Sequence, residues 1–422
     1  MQEDIAGRDP GTCAGRHNIE AGWTGRIRTE LTDDILLFWM KHSVDRENGG
    51  FHGLVDTTGI ADPNADLASV LVARILWTFS AAVQTFGGAY RETAERAFAT
   101  LTEKFWDRTH GGLYWMLDRR GVPAATRKQI YGQAFGIYGL AEFAHATGSG
   151  AALELAKQLF QLIERRGRDR DYGGYLEAFG REWQPLEDMR LSDKDLNCPK
   201  SMNTHLHVME AYTNLLRVSG DAEVRIRLAE LVNLVIERIV DAEAGHLKLF
   251  FDAQWRSLSG HISYGHDIEA SWLLVEAAEM AGEPAAIARS REMAITLAAA
   301  VLRHGLGRDG GVTYEADAAH TPIDANRHWW VQAEAVVGFY NAYQISGDVR
   351  FFEASRRVWD YIESKVVDRR HGEWHAKLSP AGQVLTVQED PDVNLIGPWK
   401  CPYHNSRACF EMLKRLGAGT TA

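Results

Sequence analysis

Four of the sixteen histidines stand in polar clusters set inside otherwise apolar segments: His205 and His207 in MNTHLH, His266 in YGHDIE and His404 in WKCPYHNSR. An imidazole, with a reference pKa of about 6.5, takes or gives a proton near neutrality, so several converging would equip a site for general acid–base chemistry. Any one histidine on an apolar helix is more often a hydrogen-bonded core residue than a catalyst, and only their meeting in space makes a site. His205 and His207 are two residues apart. On a helix such positions point about 200° apart, whereas helical zinc pairs are spaced i,i+4, so no metal motif is read here. Glu269 lies one turn beyond His266 and is placed to orient that imidazole, while Glu334 and Asp195 are the acid and base a glycosidase would need at fixed separation. Arg74 in VARILWTFS, Tyr131 and Gln133 in YGQAF, Asn203 in MNTHLH, Trp330 and Gln332 in HWWVQAE, and Arg407 beside His404 complete the unusual polar set.

The elements that must position these residues follow from an internal repeat. A glycine turn recurs at Gly49, Gly111, Gly173, Gly245, Gly310 and Gly372, at spacings of 62, 62, 72, 65 and 62 residues, each followed by alternating aromatic or aliphatic positions that suit a short strand. The helix before each turn is amphipathic, as in Ala94, Phe98, Leu101 and Phe105, which marks an outer helix. The helix after each turn is apolar or small nearly all round, as from Tyr131 or Trp329, which marks an inner one. Punctuation such as Ser219–Gly220–Asp221 supplies a glycine C′ residue and the next N-cap, hence tight antiparallel connections. Six such pairs predict an all-α (α/α)6 barrel of twelve helices with short β-hairpin-like segments in the loops, over residues 23–416, with tails at 1–22 and 417–422. The unusual polar residues fall at the starts of the inner helices. If those helices are parallel, all converge on one mouth of the barrel.

Composition narrows the ligand. A net charge of −11 with scattered basic residues repels nucleic acid, and a hydrophobic fraction of 45% with 24% charged residues is that of a globular, water-soluble chain. Thirteen tryptophans offer flat apolar faces to the C–H faces of sugars. Cys13, Cys198, Cys401 and Cys409 follow neither a zinc spacing nor a disulfide framework, and the N-terminus has acid residues and no apolar h-region. Reduced thiols in the cytoplasm are the expectation, with no membrane partner, since no apolar run reads as long enough to cross a bilayer.

The motifs KSMNTHLHVMEAYTNLLR, SYGHDIEASWLL, HWWVQAEAVVGFYNAY and GPWKCPYHNSRACFEML resemble those of cellobiose 2-epimerases, within the N-acylglucosamine 2-epimerase superfamily, over roughly residues 23–416. The resemblance implies an (α/α)6 barrel, monomeric, using no metal and no organic cofactor, and acting on β-1,4-linked disaccharides with a glucose or mannose reducing end. It implies His266 and His404 as an acid/base pair on opposite sides of C2 and His207 as a further essential histidine. Arg74, Asn203 and Glu269 would contact or organise the reducing-end sugar, Trp330 and Trp399 would stack on it, and Asp195, Tyr131 and Trp374 would flank it. Physical chemistry agrees with that assignment. The C2 hydrogen becomes acidic once the ring opens to the aldehyde, and inversion needs a proton to leave one face of an enediolate and return to the other. The N-termini of the inner helices, with Arg74, favour the oxyanion and discourage protonation of His266. An aldose–ketose (mannose) isomerase, a monosaccharide 2-epimerase, an α/α-barrel glycoside hydrolase and a non-enzymatic sugar-binding protein are the rival readings.

Overall fold

The computed structural model describes residues 22–417, so of the two segments read as tails only Gly22 and Gly417 fall among them. Twelve long helices alternate along the described residues. They are α1 (22–42), α2 (Ser69–Phe86), α3 (Arg91–Ala99), α4 (Ile130–Thr147), α5 (Gly150–Leu162), α6 (Met202–Ser219), α7 (Ala222–Leu234), α8 (Tyr264–Ala281), α9 (Pro284–Ala300), α10 (Trp329–Ser346), α11 (Val349–Tyr361) and α12 (Tyr403–Arg415). Each even-numbered helix packs on the next and α12 returns to α2, which closes an inner ring; the odd-numbered helices pack outside it. This is the (α/α)6 barrel that the six glycine turns predict. Small residues permit its tightness: a Cβ at Gly139 of α4 would stand 2.6 Å from the Ala73 carbonyl oxygen of α2, so the two backbones touch there. Inner helices α4, α6, α8 and α10 end on left-handed glycines, and Ser149, Asp221 and Asp348 cap the outer helices that follow three of them.

The outer helices do not stop as plain α-helices. Those after α1 widen into a π-helical turn, as at Thr100–Phe105, Ile163–Gly167 and Ile362–Val366, before the glycine turn reverses the chain. The strand that follows pairs with the residues leading into the preceding inner helix: Leu67–Ala68 with Met116–Leu117, Lys128–Gln129 with Ala178–Phe179, Lys200–Ser201 with Phe250–Phe251, Ile262–Ser263 with Glu315–Ala316, and Arg327–His328 with Lys377–Leu378. A bridge between Val55 and Ile396 links the first turn to the last. The crown so formed stands at the N-terminal ends of all the inner helices, which are therefore parallel.

A side chain at the fourth position of four inner helices locks this crown. Gln133 accepts from Leu113 N, His205 from Tyr175 N, Asp267 from Leu247 N and Gln332 from Val312 N, at 2.7–2.8 Å. His205 also donates through Nδ1 to the Ser201 carbonyl at 2.7 Å and is fully buried, so it is a strut in the wall. One expectation needs correction. Helix α2 is long and apolar enough to span a bilayer by length and composition, but 83% of it is buried within the ring, which accounts for its apolarity.

Candidate active site

The inner helices present one face to the bore. Along α4 the second, sixth, ninth and thirteenth residues are Tyr131, Phe135, Tyr138 and Glu142; in α6 they are Asn203, His207, Glu210 and Asn214. This spacing keeps one stripe pointing inward while the helix descends. The first two layers hold the sequence-predicted chemistry, and a polar plug lies beneath them.

Arg407 is the centre of that plug. Its Nη2 donates to Glu269 Oε1 at 2.7 Å and Glu334 Oε1 at 2.6 Å, and its Nη1 donates to Glu210 Oε1. One guanidinium thus ties α6, α8 and α10 to α12. The plug holds two of the histidines in turn. His404 Nδ1 is 2.6 Å from Glu334 Oε1, and His207 Nδ1 is 2.9 Å from Glu210 Oε2, which also accepts from Tyr403 Oη. Glu334 Oε2 accepts from Trp272 Nε1 at 3.0 Å, so Trp272 and Arg407 both donate to this carboxylate and favour its charged form, against burial and the nearby Glu210, which push its pKa up. Burial and the charge of Glu334 push Glu269 up to about 8, against the pull of Arg407. Burial also acts against ionised Glu210, but Arg407 and the His207 bond outweigh it and bring the carboxyl down to about 2. Glu269, Glu334 and His404 stand close enough to share one cation, and the Arg407 guanidinium is the cation that already bonds both carboxylates.

Both histidines of the expected acid/base pair turn one nitrogen to a fixed partner. His266 Nδ1 meets Ser263 Oγ at 2.7 Å, and His404 Nδ1 meets Glu334, which leaves Nε2 of each for the bore. The Trp330 ring of α10 lies 4.8 Å from the His266 ring and 5.4 Å from that of His404, so the histidines approach one indole from helices on either side of α10. Burial, then the nearness of His207, lowers the His266 pKa to about 3; burial and the charges of Arg74 and Arg407 hold His404 well below the ordinary histidine range. Arg74 is buried on the opposite wall, donating to Tyr131 Oη at 2.7 Å with its guanidinium 4.2 Å over Phe135. Arg74 Nε, Asn203 Oδ1 and Glu269 Oε2 are buried with no hydrogen-bond partner in the protein, the state of groups able to serve a ligand. Trp399, 39% exposed, lies 6.0 Å from Tyr131 and 6.1 Å from Trp115 and offers an aromatic surface at the mouth. Such a site can move protons between imidazoles and a bound carbon acid while Arg74 and the helix N-termini hold an oxyanion.

The structure thus brings Arg74, Tyr131, Asn203, His207, His266, Glu269, Trp330, Trp399 and His404 to one end of the ring. Two readings of the sequence change. Glu269 does not orient His266; it bonds Arg407, because its side chain descends towards the plug, and Ser263 takes the His266 role. Trp374 is not brought to the bore: its ring is fully buried near Trp359 of α11, and Nε1 donates to Glu30 of α1 at 2.7 Å. Asp195 stands half-buried in the loop before α6 and spends Oδ2 on Ser192 N and Oγ at 2.8 Å; that loop reaches the far side of the mouth through Lys194 to Asp392 at 3.0 Å. Glu210, Tyr403 and Trp272 were not picked out from the sequence. The signal for Glu210 was its place three residues after His207, the spacing that also separates Arg407 from His404.

Residues 49–395 match the family model for N-acylglucosamine 2-epimerase (GlcNAc 2-epimerase). The chain is 46% identical over 388 residues to a cellobiose 2-epimerase of Bacteroides fragilis, covering 92% of this chain and 97% of that one, and 40% identical to a cellobiose 2-epimerase of Ruminococcus albus, covering 92% and 98%. Among solved structures, the cellobiose 2-epimerase of Bacillus thermoamylovorans B4167 superposes with a TM-score of 0.88 at 40% identity, over 94% of this chain and all of that one.

Proposed function

This chain belongs to the cellobiose 2-epimerase family, a family of isomerases within the N-acylglucosamine 2-epimerase superfamily, and we propose that it inverts C2 of the reducing-end sugar of β-1,4-linked disaccharides such as cellobiose. The observation that carries the reading is the pair His266 and His404, each with Nδ1 anchored and both against the Trp330 ring. The bound sugar opens when a proton moves from O1 to O5. One histidine then removes the C2 proton and the other delivers a proton to the opposite face, so the two exchange protonation states in each turnover. The enediolate oxygen is stabilised by buried Arg74 and by the N–H ends of the parallel inner helices. Glu334 stabilises the imidazolium of His404, while Trp330 and Trp399 bind the sugar faces.

Turnover of cellobiose in D2O, followed by NMR of the products, tests this. The expected product is 4-O-β-glucosyl-mannose with deuterium at C2. A ketose as the main product would make the enzyme an isomerase, and free monosaccharides would make it a hydrolase. Epimerised product without solvent deuterium would replace the two-histidine route by hydride transfer, C–C cleavage or a shielded single base.

A further inference from the structure

We propose that Cys401 is a positioning residue for the reaction: its thiol, with the Tyr131 phenol, aims the Arg74 guanidinium at the enediolate and leaves the charge on Arg74 uncancelled. Arg74 of α2 is buried and is gripped from both neighbouring inner helices of the ring. On one side Nη2 donates to Tyr131 Oη of α4 at 2.7 Å; on the other Nη1 donates at 3.5 Å to Sγ of Cys401, two residues before α12. Nε has no partner, and no carboxylate pairs with this guanidinium among the described residues. Arg407, by contrast, is spent on three glutamates.

A buried cation without a counter-ion is costly, and that cost falls when an oxyanion forms beside it. Had the grip come from an aspartate, the guanidinium would be paired before the substrate arrived. A thiol is a weak, neutral acceptor, so it fixes direction without discharging the ion. The thiol is itself held in place. It is fully buried, Lys400 before it bonds Glu373 Oε1 at 2.6 Å, and Pro402 after it sets the chain into α12, which carries His404. One short segment therefore places an acid/base histidine and aims the cation on the opposite wall. The inference rests on the reading of the bore as an enediolate site.

Three variants of the full chain separate aim from packing. Cys401→Ala removes the acceptor, and Cys401→Val removes it while filling the space; both are expected to lose at least about tenfold in kcat on cellobiose, with KM within about threefold of the parent. Cys401→Ser keeps an acceptor and is expected to bring kcat back to within about threefold of the parent. A thiol that only packs predicts the reverse order, valine ahead of serine; that order, or parental kcat in the alanine variant, would overturn the proposal. Crystal structures of the parent and the C401A variant without ligand give a readout independent of turnover. The Arg74 guanidinium is expected to turn from its place in the parent, and an unmoved guanidinium would overturn the proposal. A parent that makes a ketose or free monosaccharides strikes the epimerase reading and leaves this crystallographic comparison to decide the role of Cys401.

Discussion

Replacing Glu334 by glutamine removes one charge and almost no volume at the point where the plug meets the reacting site. Glu334 Oε1 stands 2.6 Å from His404 Nδ1, which places the charge centres of carboxylate and imidazolium about 4 Å apart. At an effective dielectric of about 20 that interaction amounts to about 4 kcal/mol. If His404 carries half its final charge in the transition state the loss is about 2 kcal/mol, or roughly 30-fold in rate; a fully formed imidazolium loses roughly 1000-fold. The fall should lie between these limits and appear in kcat, with KM little changed. Glutamine has one acceptor and one donor group where the carboxylate had two acceptors. Its oxygen serves His404 and Arg407, and its amide then faces Trp272 Nε1–H, so about 1–3 kcal/mol of stability is lost and the fold survives. Initial rates on cellobiose measure the effect, and the double variant with His404→Asn should be no slower than His404→Asn alone, because both remove one unit. A kcat within about threefold of the parent, or a further full-sized loss in the double variant, would refute the role given to Glu334.

Asparagine at His266 or at His404 should stop epimerisation with an unchanged circular dichroism spectrum, since neither can then cycle a proton near neutrality; full activity in both variants would dismiss the pair. Trp399→Ala, which truncates a 39% exposed ring, should raise KM with near-native melting, whereas Trp374→Ala, which empties a fully buried site, should cost about 3–5 kcal/mol of stability. The reverse pattern would exchange their roles. His205→Gln puts at the third repeat the residue that serves as strut in Gln133 and Gln332, and it should remove an acid sensitivity. Burial lowers the His205 pKa to about 4, so folding favours its neutral form; unfolding takes up a proton below about 6.5, and the stability present above that pH is lost as pH falls towards 4. Denaturant titrations should therefore show the glutamine variant gaining about 2 kcal/mol on the parent at pH 5 relative to their difference at pH 8, and an unchanged difference would remove His205 from the acid response.

Much of the architecture was legible along the chain because its causes are local. A left-handed turn asks for glycine, so Gly111, Gly173, Gly310 and Gly372 marked the repeat wherever it occurred, and their positive φ angles bear that out. Whether a helix is apolar on one face or all round is likewise written in a few turns of sequence, which separated α3 from α4 and α7 from α8. Because every inner helix starts from the same kind of turn, the histidines of MNTHLH, YGHDIE and PYHNSR could be assigned to one end before any contact was known.

Pairings across the bore were decided only by closure of the ring. Arg407 meets Glu210 and Glu269 over separations of 197 and 138 residues, and the spacing within either helix does not say which partner stands opposite. Glu269 looked like the residue orienting His266 because one turn separates them, yet a strand residue, Ser263, is nearer to the ring and Arg407 draws the carboxylate down. Trp374 was expected to flank the sugar only through the family resemblance. The widened end of α11 and the outer helix α1 instead close over it, and a bond to Glu30 satisfies its indole. Residue type and period along a helix are local properties, and they sufficed for the barrel and the end where its chemistry lies. Which carboxylate steadies which histidine depends on distances between helices that exist only once α12 has packed against α2.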